Sequence, residues 1–391
     1  MNILQLVPYF YPAWAYGGPA KLVYDTSEYF ATHGDRVTVY TSDAYDKHHR
    51  MPADKRLPQT PNFRVKYFRH INNASAYIYN IFFTPGLYLT ALFEVSRFDV
   101  IHLHDFYTPQ NVWIGFLARV FRKPYILSVH GCLEEKRVAQ RSIFKRIFLF
   151  FFGMSLLHHA DRVIASSPNE VRAYLAYGVA KERIVSLGHG VDPKEFKTSV
   201  ARVACKKQFG IDAKNIVVTY LGRIHKIKGL DMLVDAVAMI KNTQITFIIA
   251  GSDDGYLSEL KKRIREKGLT KRITLLGTCY GEQKARLFRA TDIFVYPSYS
   301  EGFSLGILEA AAAGLPLVIT TGCHFEDVQT YQAGVIVQPS GNAISAGIMR
   351  LVSDPALRKK CGENAQKLIE SRYSTEKIGS TLQNIYKSIM R

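Results

Sequence analysis

A chain of 391 residues exceeds the size at which a single hydrophobic core stops growing, so two domains are expected. With 47% hydrophobic and 21% charged residues it resembles ordinary packed proteins in composition, which excludes a disordered chain and a bundle of membrane spans. A formal net charge of +18 calls for anionic partners, whether nucleic acid, a phosphorylated ligand or an anionic lipid surface, without choosing among them.

Met1 leads straight into strand-like residues 2–7, with no basic stretch ahead of an apolar run and no small-residue cleavage site, so export is not expected. The cysteines Cys132, Cys205, Cys279, Cys323 and Cys361 are widely spaced and form no CxxC pair. That argues against a disulfide framework or structural zinc and fits a reducing cytoplasm.

Short β-branched and aromatic runs alternate with longer stretches at helical spacing, the signature of βαβ units in parallel sheets. In the first half strands are predicted at residues 3–7, 36–41, 63–67, 100–104, 125–129 and 162–165. Tyr16-Gly17-Gly18-Pro19 follows the first of these and precedes a helix. No GxGxxG occurs, so a nicotinamide enzyme is not expected, and the simpler meaning of the glycines is a tight turn. His102 and His104 alternate on one strand; His102 is assigned to the core and His104 is a candidate cleft residue. Val129-His130-Gly131 ends the next strand at the side where ligands of such sheets bind.

Basic residues then cluster: Arg119, Arg122, Lys123, Lys136, Arg137, Arg141, Lys145 and Arg146 stand against Glu134 and Glu135. The run at 147–157 (IFLFFFGMSLL) is too short to span a bilayer. Its aromatic side chains beside a basic cluster suit a membrane interface, and its nearly continuous apolarity equally suits a buried helix. A second aromatic stretch, with Tyr77, Tyr79, Phe82, Phe83 and Tyr88, supports the interface.

Turn residues gather at Gly188-His189-Gly190-Val191-Asp192-Pro193, which places a seam there. The second series of strands is predicted at 216–221, 245–250, 273–276, 293–296, 316–320 and 334–337. The first is followed by Gly222-Arg223-Ile224-His225-Lys226-Ile227-Lys228-Gly229. Its glycines allow close backbone approach, and Arg223 and Lys228 can clamp a diphosphate. Asp253-Asp254 is assigned to a turn or helix cap, and no metal is expected. After the strand at 293–296, Glu301 stands in a loop and Glu309 inside the helix that follows, on a face otherwise of Leu, Ile and Ala where a charge requires a partner. Carboxylates accept hydrogen bonds from sugar hydroxyls, and the N–H groups at that helix start suit a phosphate. Taken singly, each of these charges would be a solvated surface group; together at strand-to-helix junctions of one sheet they point to a nucleotide sugar.

In order and spacing, the Gly-Arg-x4-Lys-Gly loop and the Glu-x7-Glu motif resemble those of glycosyltransferase family 4, and the similarity of layout extends over nearly the whole chain. The resemblance implies an α/β fold of the glycosyltransferase-B type, two Rossmann-like doubly wound domains facing across a cleft. Residues 1–190 would bind the acceptor and 191–374 the nucleotide sugar, with the helix of 375–391 packing back on the first domain. It implies Arg223 and Lys228 on the donor diphosphate, Glu301 near the transferred sugar, Glu309 on the ribose hydroxyls, and the backbone of Gly302, Phe303, Ser304 and Leu305 between them. Gly17 and Gly18 would approach the donor phosphate or the acceptor, and His130 would sit at the reactive end of the sugar. The family commonly has asparagine where this chain has His189. The activity implied is retaining transfer of a hexosyl-type group from a nucleotide sugar donor to a saccharide acceptor. The basic aromatic segment makes that acceptor lipid-linked, in surface polysaccharide assembly on the inner face of the cell membrane. No cofactor and no nucleic acid partner is expected. The alternatives are a nucleotide-sugar epimerase on the same fold and a basic membrane- or nucleic-acid-binding protein without catalysis.

Overall fold

The computed structural model describes residues 1–13, 16, 18–46, 48–72, 82–133 and 142–390. Gly17, Tyr77, Tyr79, Lys136, Arg137 and Arg141 lie outside the described residues. The chain divides into two compact units: Met1–Gly190 with Thr375–Arg391, and Val191–Ser374.

The first unit is built on seven strands: β1 (Asn2–Leu6), β2 (Arg36–Ser42), β3 (Phe63–Phe68), β4 (Val100–His104), β5 (Tyr125–Ser128), β6 (Arg162–Ala165) and β7 (Ile184–Ser186). Their order is β3-β2-β1-β4-β5-β6-β7 and their pairings are parallel. Six coincide with the predicted strands. The seventh escaped notice because it is an edge strand of three residues, only partly covered, and so short that neither alternation nor an apolar run can show. The second unit has β8 (Ile216–Leu221), β9 (Ile245–Ala250), β10 (Ile273–Gly277), β11 (Ile293–Tyr296), β12 (Leu317–Thr320) and β13 (Gly334–Val337), in the order β10-β9-β8-β11-β12-β13.

Both sheets are covered on two faces by helices, which explains why the central strands are buried along nearly their whole length. In β4 all five residues of Val-Ile-His-Leu-His are buried, so its two histidines lie inside the protein and, by the two-residue period of a strand, on the same face. In each sheet the strand order reverses once, between β1 and β4 and between β8 and β11. Such switch points open a crevice at the carboxyl ends of the two strands.

The helix Thr375–Ile389 completes the first unit. Its Leu382, Tyr386 and Ile389 are buried in one cluster with Ile3, Phe30, Val37 and Val100, and the Tyr386 ring stacks on Phe30 at 5.1 Å. Contact along its partner Pro19–Thr32 is so close that a Cβ on Gly379 would stand 2.4 Å from the ring of Tyr29.

The aromatic run divides its side chains. It forms a helix Ser142–Phe148, a widened turn Leu149–Gly153 and a helix Met154–His159. Leu156 and Leu157 are buried and Phe148 packs on Phe106 and Tyr107. Phe150, Phe151 and Phe152 are 77%, 65% and 49% exposed, so the segment is not the buried helix that its composition allowed. The widened turn shifts the helical register by one residue, and Gly153 lets the backbone close on Phe106 where a Cβ would meet the ring at 2.8 Å.

Candidate active site

In the second unit the chain leaves β8 through Gly222-Arg223 and enters a short turn, Lys226–Lys228, that ends at Gly229 with φ +65°. A side chain there would be strained and would have its Cβ 2.1 Å from the carbonyl oxygen of Pro297, so only glycine lets the loop after β8 lie on the loop after β11. The two loops are stitched by Tyr299 N–H to Ile227 O at 2.9 Å. This packing brings Lys228 to Glu301. Lys228 Nζ donates to Glu301 Oε1 at 2.7 Å and Oε2 at 2.9 Å, Ser298 Oγ donates to Oε1 at 2.6 Å, and both charged side chains are buried. Glu301 N–H is fixed on Gly322 O at 2.8 Å. The two residues expected on different parts of a donor are therefore partners of one another.

Arg223 is half-exposed and ion-paired with Asp254. Its neighbour Asp253 accepts from the N–H groups of Gly255, Tyr256 and Leu257 at the start of the helix Leu257–Glu266, as a cap does. Gly302, Phe303 and Ser304 lead into the helix Leu305–Ala312, whose Ser304 makes no side-chain cap. By helix geometry its first N–H groups point out of the helix without an intrahelical acceptor. Glu309 lies in the second turn. The partner that its apolar face requires is Lys284 of the helix Gly281–Ala290, at 2.7 Å. Among the described residues no group of three His, Cys, Asp or Glu side chains could hold a metal ion.

In the first unit Gly18 immediately precedes the helix Pro19–Thr32 and its carbonyl accepts from Lys21 and Leu22. His130 follows β5 with φ +50° and is succeeded by Gly131 at φ +79°. A left-handed non-glycine residue costs conformational energy and persists where its surroundings hold it. Here the holder is Glu170, whose carboxylate accepts from Gly131 N–H and, at 2.6 Å, from both N–H and Oγ–H of Ser166.

Behind His130 lies a chain of polar side chains. His130 Nε2 is 3.1 Å from His104 Nδ1, and His104 Nε2 is 2.7 Å from Gln5 Oε1. Gln5 Nε2 donates to the Tyr386 hydroxyl at 3.2 Å, which is 2.6 Å from His102 Nδ1, and His102 Nε2 is 2.8 Å from Ser128 Oγ. The chain crosses the switch point between β1 and β4, and it joins the core residue His102 to the candidate cleft residue His104, itself buried. His189, at the seam, places its ring 5.7 Å from that of His130. Burial, reinforced by neighbouring imidazoles, pushes His102 and His189 down to about 3 and His104 well below its ordinary value. Burial also lowers His130, against the raising effect of Glu170 and Asp105. These rings are therefore neutral near pH 7. A cavity of about 50 Å³ adjoins them, bounded also by Ser128, Glu170 and Thr375.

Two family models cover most of the chain between them, Glycosyltransferase Family 4 over residues 16–195 and Glycosyl transferases group 1 over residues 203–368. The chain belongs to glycosyltransferase family 4. An uncharacterized glycosyltransferase of Methanocaldococcus jannaschii is 24% identical over 403 residues, 99% of this chain and 98% of that protein. The D-inositol 3-phosphate glycosyltransferase of Mycolicibacterium smegmatis is 29% identical over 245 residues, 60% of this chain and 55% of its own. Among solved structures, Anabaena HepE in complex with UDP-glucose matches over 100% of both chains with a TM-score of 0.78 at 24% identity, which establishes the glycosyltransferase-B fold.

For a family 4 glycosyltransferase the sequence motifs mark the loops, and the structure adds the residues that hold them. Lys284, Ser298, Gln5, Glu170 and Tyr386 were not singled out. Glu170 carried a signal that pointed elsewhere: Ser167-Pro168-Asn169-Glu170 has the spacing of a capping box, and Ser167 does accept from Glu170 N–H. The Glu170 carboxylate is spent on the His130-Gly131 turn as well.

Proposed function

We propose that this glycosyltransferase moves a sugar from a nucleotide diphosphate to a saccharide acceptor with retention at the anomeric carbon. The observation that carries the proposal is the set of charges at the ends of β8 and β11, where the strand order reverses: Arg223, Lys228 and the start of the helix Leu305–Ala312 beside the carboxylates Glu301 and Glu309. Phosphate oxygens suit the first group and sugar hydroxyls the second, and a nucleotide sugar offers both in one molecule. Anabaena HepE, of the same fold, was solved with UDP-glucose. An ammonium has three protons, and Glu301 takes two from Lys228. In the proposed complex the third meets the diphosphate, Glu301 meets the transferred sugar, and Glu309, held by Lys284, meets the ribose.

In the reaction the bond from the anomeric carbon to the diphosphate breaks, and the diphosphate leaves with the electron pair. The acceptor oxygen bonds the same carbon from the same face, and its proton passes to the departing diphosphate. Arg223, Lys228 and the helix start oppose the charge that grows on the leaving group, using fixed cations and dipoles without a metal. His130 is assigned to the reacting end of the sugar. The test is a panel of nucleotide sugars in thermal melts, followed by transfer assays. A donor at a hundred times its Kd should add about 2.7 kcal/mol of apparent stability. No shift with any member overturns the donor, and a product of inverted anomeric configuration overturns retention.

The acceptor is proposed to be a lipid-linked saccharide in surface polysaccharide assembly, with the protein peripheral on the inner face of the cell membrane. What supports this is the exposed ridge Phe150-Phe151-Phe152 with Arg146 beside it. A groove of about 550 Å³ bounded by Trp113, Phe116, Phe151, Phe152 and Arg119 adjoins the ridge. No helix among the described residues is long and apolar enough to cross a membrane. A basic residue near an anionic bilayer contributes on the order of 1 kcal/mol, and aromatic rings can insert at headgroup depth.

A further inference from the structure

We propose that Gln5, His104 and Tyr386 are positioning residues that hold His130 in one tautomer, protonated on Nε2, so that Nδ1 is the nitrogen that can accept a proton or a hydroxyl hydrogen bond. The proposal rests on the assignment of His130 to the reacting end of the sugar.

The direction of each bond follows from the groups that have no choice. The oxygen of the Gln5 amide can only accept, so the proton between Gln5 Oε1 and His104 Nε2 belongs to His104. A neutral imidazole carries one N–H, which leaves His104 Nδ1 as an acceptor, and its neighbour at 3.1 Å, His130 Nε2, must then donate. His130, neutral in turn, has its lone pair on Nδ1. On the other side, the Gln5 amide nitrogen can only donate, so the Tyr386 oxygen accepts from it and sends its own proton to His102 Nδ1. His102 Nε2–H then donates to Ser128 Oγ. Each contact of the chain thus has one donor and one acceptor, and the orientation of one amide decides all of its directions. Turning Gln5 over reverses the chain and moves the His130 proton to Nδ1.

Tyr386 couples the orientation of Gln5 to the tautomer of His102. In the described orientation its hydroxyl takes the amide proton and gives its own to His102, so the amide cannot turn unless His102 changes tautomer with it; without the hydroxyl the amide turns independently. The hydroxyl arrives from the helix Thr375–Ile389, 381 residues from Gln5 in the chain, and it is fully buried with its ring on Phe30. Packing fixes the position of the hydroxyl, and through Gln5 and His104 the hydroxyl ties the proton of His130 to that of His102.

The test is a long-range 1H–15N spectrum of the full chain labelled with 15N-histidine, with His130 assigned by the peaks lost in His130→Asn. The expected wild-type pattern is a protonated Nε2 and a bare Nδ1; a proton on Nδ1 overturns the proposal whatever any variant does. Tyr386→Phe keeps the ring on Phe30 and should give His130 a mixture of tautomers. kcat should fall in proportion to the fraction displaced, about twofold for an even mixture, with the donor KM unchanged. Gln5→Met cuts the same chain, so the double variant should be no worse than either single one, whereas additive losses mean two separate structural defects and overturn the relay. An unaltered His130 spectrum in Tyr386→Phe also overturns it. If the wild-type tautomer is as expected and His130→Ala transfers sugar at the wild-type rate, the catalytic assignment of His130 falls and the relay does not.

Discussion

Lys228 Nζ bonds both carboxylate oxygens of Glu301, at 2.7 and 2.9 Å, with the two side chains buried together. A pair of this kind is costly to break from one side, because the charge left behind is desolvated and uncompensated. Lys228→Ala should therefore destabilise the second unit by about 3–5 kcal/mol as well as weaken donor binding. Lys228→Ala/Glu301→Ala should recover part of that loss, and Arg223→Ala, which breaks a half-exposed pair, should cost no more than about 1 kcal/mol. Chemical denaturation of the three variants checks this; equal stability of Lys228→Ala and the wild type contradicts it.

The partner of Glu309 is Lys284, at 2.7 Å. If the carboxylate serves ribose hydroxyls in ground and transition states alike, Glu309→Gln should raise the donor KM with kcat largely retained. Lys284→Met, which removes the group that orients the carboxylate, should do the same more mildly. Steady-state kinetics at varied donor would expose a fall in kcat at constant KM, which would move Glu309 away from the nucleotide end.

His130→Ala should lower turnover by roughly a hundredfold or more while leaving the donor affinity near wild type. Donor titration by calorimetry alongside the transfer assay separates the two quantities. A lost affinity with a preserved rate would place His130 on the nucleotide.

Much of the fold was legible because both sheets are parallel and buried: β8, β9 and β11 are largely apolar runs between helical segments, and their ends announce the loops. The charges of those loops were legible as types and not as pairs. Lys228 and Glu301 are 73 residues apart, and what joins them is the approach of Gly229 to Pro297, a contact no local pattern encodes. Tyr386 was hidden for the same reason. Its helix was expected to pack back on the first unit, but which side chain reaches β1 depends on the rotation of that helix against Pro19–Thr32. The three exposed phenylalanines lay beyond sequence because the widened turn at Leu149–Gly153 breaks the helical period on which a division into inner and outer faces relies.

The buried imidazoles set a pH window. His102 and His189 are held down to about 3, whereas in the unfolded chain a histidine titrates at its ordinary 6.5. As pH falls below about 6.5 the unfolded state binds protons that the folded state does not, so stability is complete above that value and is lost progressively toward pH 3. The slope approaches about 1.4 kcal/mol per pH unit for each such residue. Melts at pH 7.5, 5.5 and 4.5 should show a falling Tm; a flat profile would mean that these rings are protonated in the folded protein.

Vesicles test the exposed ridge. Liposomes rich in anionic lipid should sediment with the protein at low salt, and replacing Phe150, Phe151 and Phe152 by serine should abolish cosedimentation without lowering Tm, because those rings face outward. Undiminished binding by the triple variant, or none by the wild type, removes the membrane from the account.

The first unit is discontinuous in the chain, and this imposes an order on biosynthesis. Its sheet emerges from the ribosome early, but the helix that supplies Leu382, Tyr386 and Ile389 to its core is translated only after the whole of Val191–Ser374. Until then β1 and β4 hold Gln5 and His102 without the hydroxyl that satisfies them, next to an uncovered apolar face. The second unit, contiguous, is free to fold first. A nascent chain paused before Thr375 thus has its second unit complete and its first still open to chaperones.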